Sequence, residues 1–323
     1  MKTYTETNLH LKVYHNIADF EDIHKPIITV GTFDGVHIGH QRILNRLKEI
    51  ALKTGGETVL LTFFPHPRMI LFPDSHGLKL INTLNEKIDL LGKFGLDHLI
   101  ILPFDKSFSQ TEPETYVKNF LIDQINVHTI VIGYDHQFGK NRKGNLSLLN
   151  KLAPKYHFSV EEISAQEIDE IKVSSTKIRS AITNGSIKIA SQYLNHHFCL
   201  EGKVVKGEQI GRTIGFPTAN LSLEFDYKII PAKGVYAITS FIDGKTYAGM
   251  LNIGNRPTVT NENKTTIEAH FFDLNKDLYD TVISITFIEK LRDEMKFNTL
   301  EDLKLQLHID QLNALKILTP VDA

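Results

Sequence analysis

The chain has 323 residues, 41% hydrophobic and 23% charged, with 36 Lys and Arg against 38 Asp and Glu. This is the balance of a globular protein long enough for two domains, at about 100–200 residues each, and it excludes the basic field that nucleic-acid binding needs. No run reaches the roughly 18 unbroken apolar residues of a membrane span, and the single Cys199 excludes an internal disulfide and a cysteine-cluster metal site. The opening stretch, MKTYTETNLHLKVYHNIADF, has neither a basic head nor a continuous apolar run, so no secretory signal is expected and the chain is placed in the cytoplasm.

Residues 27 to about 184 alternate short apolar runs with helical periodicity, which predicts parallel strands joined by helices. The strands read as IITVG from residue 27, TVLLTFF (58–64), HLIILPF (98–104), HTIVIGY (128–134) and FSVEEI (158–163). After the first comes a helix with Ile43, Leu44, Leu47, Ile50 and Ala51 on one stripe, stopped by Gly55 and Gly56. After the second, Thr83 and Glu86 have the spacing of a capping box ahead of Leu84, Ile88 and Leu91. The expectation is a doubly wound α/β domain over residues 1–186.

Beyond RSAITNGSIKIA the texture changes to short strands punctuated by glycine: KVVKG, GVYAITSFIDGKTYAGMLNIG, TTIEAHFFD and TVISITFIEKL. Asp243-Gly244 between apolar runs predicts a hairpin, and Ile283, Ile285 and Phe287 alternate as one buried face. Residues 187–323 are therefore expected to form a small antiparallel β-barrel. A C-terminal helix should pack on it, with Leu300, Leu303 and Leu307 on one face.

The stretch VGTFDGVHIGHQRIL, from residue 30, sets a glycine-rich turn and two histidines where the first strand ends and the first helix begins. Ligands of an open parallel sheet sit at this edge, where helix N-termini present unpaired N–H groups. His37 and His40, three apart, can face one side, while Gly35 and Gly39 allow close approach of a phosphate. A helix cap with two incidental histidines is the alternative. KVSSTKIRSAI (172–182) adds Ser174, Ser175 and Thr176 as caps or hydroxyl donors, with Arg179 one turn on. FFPHPR, with His66, and GYDHQFGKNRKG, with Asp135, Phe138 and Arg142, end strands at the same edge. Gly139 to Gly144 and Gly202 to Gly207 have P-loop spacing, but neither is followed by Lys and Ser/Thr, so the phosphate site is not a Walker A loop.

Together, TFDGVHIGH, the P-H-P turn, GYDHQFG and SSTKIR resemble the H-x-G-H nucleotidyltransferases, and specifically the adenylylating half of prokaryotic bifunctional FAD synthetases, over residues 27 to about 186. The resemblance implies ATP binding by Gly31, Thr32, Phe33, Asp34, Gly35, His37, Gly39, His40, Ser175, Thr176 and Arg179. It implies flavin contacts from His66, Asp135 and Phe138, and transition-state stabilisation by His37, His40 and Arg179. Thr32 stands where many relatives have Asn, and Gln137 where Arg is frequent, so phosphate contacts from those two side chains are not carried over.

GEQIGRTIGFPTANL (207–221), with GVYA, NIGNRPT, IEAHFFD and LRDEMKF, resembles riboflavin kinase over nearly all of 187–323. Thr218 and Asn220, two apart on an extended chain, point the same way and offer two oxygens to a Mg²⁺ on ATP; a polar pair on an edge strand is the alternative. Ile267, Ala269 and Phe271 share one face, so Glu268 projects from the other, either simply solvated or, as the resemblance implies, a general base for the ribityl hydroxyl. The likeness also implies ATP contacts from Gly207, Gly211 and Arg212, and places Arg292 near the flavin, where a surface ion pair is the alternative. The expected function is bifunctional: riboflavin plus ATP to FMN plus ADP, then FMN plus ATP to FAD plus pyrophosphate. An adenylyltransferase for another acceptor and a flavin-sensing regulator are the rivals. No membrane partner is expected, and a homo-oligomer is left open.

Overall fold

The computed structural model describes residues 11–73, 77–164, 173–207, 210–256 and 264–319. The chain divides into two compact units, Met1–Ser175 and Thr176–Ala323.

In the first unit, β1 (Lys12–Tyr14), β2 (Pro26–Val30), β3 (Glu57–Phe64), β4 (His98–Pro103), β5 (Thr129–Gly133) and β6 (Ser159–Ile163) form one sheet in the order β1-β4-β3-β2-β5-β6. Every pairing is parallel. Helices α1 (Ile38–Thr54), α2 (Pro67–Leu71), α3 (Leu84–Lys93), α4 (Pro113–Tyr116) and α5 (Leu146–Tyr156) lie between strands. From β2 the chain runs to β3 and β4 on one side, then to β5 and β6 on the other, so the switch point of the sheet is at the carboxyl end of β2. The five expected strands and the α1 stripe are present, and Gly55 closes α1 in the left-handed region at φ 68°. Both halves of the Thr83–Glu86 capping box form. The short edge strand β1 was not expected: KVY is too brief to show a period.

In the second unit, β7 (Cys199–Val205), β8 (Ala219–Ser222), β9 (Gly234–Ile242), β10 (Lys245–Arg256), β11 (Lys264–Phe271) and β12 (Val282–Arg292) close an antiparallel barrel in the order β10-β11-β8-β7-β12-β9. Asp243 and Gly244, both at positive φ, turn the β9–β10 hairpin as the sequence predicts. Tyr236, Ile238, Leu251, Ile253, Ile285 and Phe287 are buried on the inner face. Among the described residues, four further helices are α6 (Ser175–Thr183), α7 (Ile187–Leu194), α8 (Ile210–Thr213) and α9 (Leu300–Leu318).

A second core lies on the barrel's other face, where Phe216, Val235, Ala237, Met250 and Phe272 pack with Ala314 of α9. Leu307 joins it, but Leu300, the first residue after the Thr299 cap, is 55% exposed and does not share the packed face. That face instead carries Asp310, 1% exposed. The division at Ser175 also differs from the boundary expected at 186/187. The end of α6 is fastened within the second unit: Ala232 N–H donates to the Ile182 carbonyl, and Gly185 leaves room for the Lys290 side chain.

Candidate active sites

At the switch point the backbone is bent by local necessity. Phe33 (φ 47°), Gly35 (φ 90°) and Val36 (φ 40°) all lie at positive φ, and the turn delivers the chain into the N-terminus of α1. His37 is the N-cap: its Nδ1 accepts from the His40 N–H at 3.4 Å, so the neutral ring carries its proton on Nε2. The capping alternative is thus realised for His37. His37 and His40 stack at 3.7 Å between ring centroids, and Phe33 stacks on His40 at 4.5 Å. A Cβ on Gly39 would stand 3.2 Å from the His37 ring, and one on Gly31 would stand 2.9 Å from the Phe33 ring, so both glycines make room for the stack. Burial pushes the His40 pKa well below the usual imidazole value, and the neighbouring His37 and Lys87 push it the same way. Its buried Nδ1 has no hydrogen-bond partner among the described residues.

Two residues expected to touch ATP do other work with their side chains. Phe33 is 2% exposed and packs into the hydrophobic core with Leu44 and Leu60. Asp34 is 1% exposed, and its Oδ1 accepts from the Ile81 and Asn82 N–H groups at 2.9 and 3.3 Å. Their contribution is to shape the turn. Ser175 is brought to it: its Oγ donates to the Asp34 carbonyl at 2.9 Å. Thr176 is exposed and Arg179 half-buried on α6. Thr32 offers its carbonyl inward, accepting from Lys87 Nζ at 2.7 Å and Thr62 Oγ1 at 3.4 Å.

His66 caps α2, accepting the Arg68 N–H on Nδ1 at 3.1 Å, and is buried. Phe138 packs on Tyr116 at 5.6 Å, and a Cβ on Gly144 would stand 2.5 Å from its ring. Asp135 is exposed; Gln137, also exposed, accepts from Arg142 Nε at 2.8 Å. Between them His136, overlooked in the sequence, has its pKa lowered by burial to about 4, against the opposing pull of Asp135.

On the barrel, register explains the second site. Cross-strand partners share a face, and one row runs Asn220 (β8), Glu268 (β11), Asn252 (β10), Val235 (β9), Arg292 (β12). All five line one cavity of about 350 Å³, which Thr218 and Gly211 also line. Glu268 projects opposite buried Ile267, Ala269 and Phe271, as its place in the strand predicts. His270 Nδ1–H donates to the Pro217 carbonyl at 2.7 Å, which fastens the PTAN segment to β11. Burial lowers the His270 pKa. A Cβ on Gly207 would stand 2.3 Å from Asn220 Nδ2, so the glycine opens the space that the carboxamide occupies. Arg212 is exposed on α8 and is not part of the lining of this cavity. On so short a helix, Gly211 and Arg212 point to different sides. In NIGNRPT, Pro257 and Thr258 lie outside the described residues.

Arg292 is held by a buried carboxylate and not by a surface pair. Its Nε donates to both oxygens of Asp310, at 2.9 and 3.1 Å, and its Nη2 donates to Oδ2 at 2.7 Å.

Residues 19–177 match the FAD synthetase family and residues 194–318 the riboflavin kinase family. A bifunctional riboflavin kinase/FMN adenylyltransferase of Listeria monocytogenes is 36% identical over 301 residues, 93% of this chain and 95% of that protein. The chain belongs to the bifunctional riboflavin kinase/FMN adenylyltransferase family. A Bacillus subtilis protein of the same description is 34% identical over 312 residues, 95% of this chain and 97% of its own length. A solved Streptococcus pneumoniae structure titled a macrolide-efflux protein is 30% identical, with a TM-score of 0.85, and covers 95% of this chain and 99% of its own. That title is a statement about the other protein; among the described residues here no helix is long and apolar enough to cross a membrane. Family membership accords with both resemblances read from the sequence and with the α/β-then-barrel order.

Asn252, Asp310 and Lys87 escaped the sequence reading. For two of them a signal existed: Lys87 falls on the apolar stripe of Leu84, Ile88 and Leu91, and Asp310 on that of Leu303, Leu307 and Ala314. Ionisable groups on the packed face of a helix are rarely buried without a partner, which makes such positions worth following.

Proposed function

We propose that the family's two reactions divide between the two halves of the chain, with residues 187–323 phosphorylating riboflavin to FMN and residues 1–186 adenylylating FMN to FAD. The observation that carries the kinase half is the row of Asn220, Glu268, Asn252 and Arg292 along one cavity. Glu268 takes the proton of the ribityl 5′-hydroxyl as that oxygen bonds to the γ-phosphorus of ATP and ADP leaves. Thr218 and Asn220 fit a Mg²⁺. Both line the cavity and supply hard oxygens, and a cation there would complete its shell with phosphate oxygens and water, as Mg²⁺ prefers. When bound it would neutralise charge on the phosphates.

For adenylyl transfer, a phosphate oxygen of FMN attacks the α-phosphorus of ATP and pyrophosphate leaves. The attacking oxygen is already ionised, so no general base is required, and the protein's task is alignment and charge stabilisation. The first-turn N–H groups of α1, the His37 Nε2–H and the neutral His40 ring are the donors proposed for it, with Gly35 and Gly39 leaving room. A buried nitrogen without a partner costs about 1–3 kcal/mol; an anion beside His40 favours its protonation and offers it an acceptor. The resemblance assigns Arg179 to the same transfer.

The test is to supply riboflavin and Mg-ATP and separate the products. FMN, ADP, FAD and pyrophosphate are expected from the intact chain. Glu268→Gln should stop the first step yet still convert supplied FMN to FAD, and His40→Ala or Arg179→Ala should stop the second step, assayed with supplied FMN, while riboflavin phosphorylation continues. Loss of both steps in any of these variants would overturn the division.

A further inference from the structure

Arg292 and Asp310 come from different elements and meet beneath the barrel cavity. Asp310 projects from the packed face of α9 with its side chain 2% exposed, and the Arg292 side chain, at the end of β12, is 17% exposed. Three contacts tie one edge of the guanidinium to the carboxylate, and Gln306 Nε2, one turn earlier on α9, donates to Asp310 Oδ1 at 2.9 Å. Nη1 donates to the Asp293 carbonyl at 2.9 Å. A guanidinium has five N–H bonds. One on Nε, one on Nη2 and one on Nη1 are committed here, which leaves two without a partner among the described residues, on a side chain that lines the cavity together with Glu268.

A carboxylate so deeply buried requires a reason. An isolated buried pair is at best neutral for stability compared with apolar residues of the same volume, and α9 already has Leu307 and Ala314 in the packed core. What the pair supplies is orientation. An arginine side chain otherwise has large rotamer entropy, and a fork bound at one edge fixes the plane of the other. The positive charge is also balanced within the site, so a neutral ligand can enter without leaving a bare cation behind.

We propose that Asp310 is a positioning residue for riboflavin in the kinase reaction: from α9 it sets the guanidinium plane of Arg292, so that the two remaining N–H bonds meet an acceptor oxygen of the flavin. The proposal rests on the assignment of this cavity to riboflavin. It makes α9 part of the substrate site and not merely a cover for the barrel.

The experiment is steady-state kinase kinetics on the full chain for Asp310→Asn, Gln306→Ala, Arg292→Lys and the double variant Asp310→Asn/Arg292→Lys, with thermal melting of each. The expected result is a riboflavin KM raised about 10-fold or more in Asp310→Asn and Arg292→Lys, with kcat within about 3-fold and the KM for ATP unchanged. That corresponds to about 1.4 kcal/mol of lost binding. Gln306→Ala should move the riboflavin KM the same way by less. The double variant should be no worse than the worse single one, because both remove the same oriented fork. A carboxylate that serves only packing would lower the melting temperature and depress kcat or both KM values together, and that result overturns the proposal. Should Asp310→Asn not fold, Gln306→Ala and riboflavin binding by flavin fluorescence decide: unchanged affinity overturns it. If Arg292→Lys raises the riboflavin KM while Asp310→Asn and Gln306→Ala do not, the proposal fails and the cavity assignment stands. If Arg292→Lys is also silent, the assignment itself fails.

Discussion

His37 and His40 do two kinds of work within three residues. His37 ends the unpaired N–H of the helix with one nitrogen and keeps a proton on the other, while His40 is held neutral in a stack of rings. His40 is therefore suited to gain charge as negative charge gathers on a leaving phosphate. His40→Ala should therefore lower the turnover of FAD synthesis by something on the order of the 10²–10³-fold found when one preorganised oxyanion donor is removed. The KM for ATP should change little, because a contact that strengthens with developing charge favours the transition state over bound substrate. Steady-state assays with FMN and Mg-ATP measure both. At Glu268 the logic is a base in place of a donor. Glu268→Gln keeps the shape and its two cross-strand neighbours but cannot take a proton, so kinase turnover should fall roughly 10²–10⁴-fold. FAD formation from supplied FMN should persist in the same sample.

At the scale of elements, α3 and the segment leading into it are tied to the β2–α1 turn by two groups: Asp34, which reaches the backbone at 81 and 82, and Lys87 of α3, which reaches Thr32. Lys87 is 4% exposed, and burial lowers its pKa from the usual 10.5 to about 8, with Asp34 opposing the shift. The sign of the consequence is definite. Between pH 8 and 10.5 the unfolded chain holds the lysine proton more firmly than the fold does, so this group adds stability as pH rises through that window and costs a fixed amount below it. The full effect is on the order of 3 kcal/mol. Lys87→Met should lack it. The difference in denaturation midpoint between wild type and variant should shift in favour of wild type from pH 7 to pH 9.5, and a constant difference would remove the buried charge from the account. The same element illustrates what the sequence discloses. Its cap, Thr83 with Glu86, and its apolar stripe are local patterns and could be read directly. Lys87 stands on that stripe, but its partner Thr32 is 55 residues away, and only the parallel crossover brings them together. Asp310 was missed for the same reason, whereas Glu268 and Asn220 could be placed on one side of their strands because alternation is local.

For the whole molecule, the change of texture near Gly185 located two kinds of architecture but not the place where one compact unit gives way to the next. Texture follows strand and helix periods; the division follows tertiary packing, and α6 has the period of the first half yet a fastening in the second, through Ile182 to Ala232. Two fragments separate these readings. Residues 187–323 contain the full barrel, α9 and every residue of the kinase row, so the fragment should phosphorylate riboflavin and form no FAD. Residues 176–323 add most of α6. In the shorter fragment the Ala232 N–H loses its partner, and a backbone donor left unpaired costs about 1–3 kcal/mol where water cannot reach it. The longer fragment should therefore melt several degrees higher, at about 2–8 °C per kcal/mol for domains of this size range, with the same riboflavin KM. Thermal melts and kinase assays on both fragments measure this. Equal melting temperatures would return α6 to the first half, and a folded shorter fragment with no activity toward riboflavin would mean that the kinase does not reside in the barrel alone.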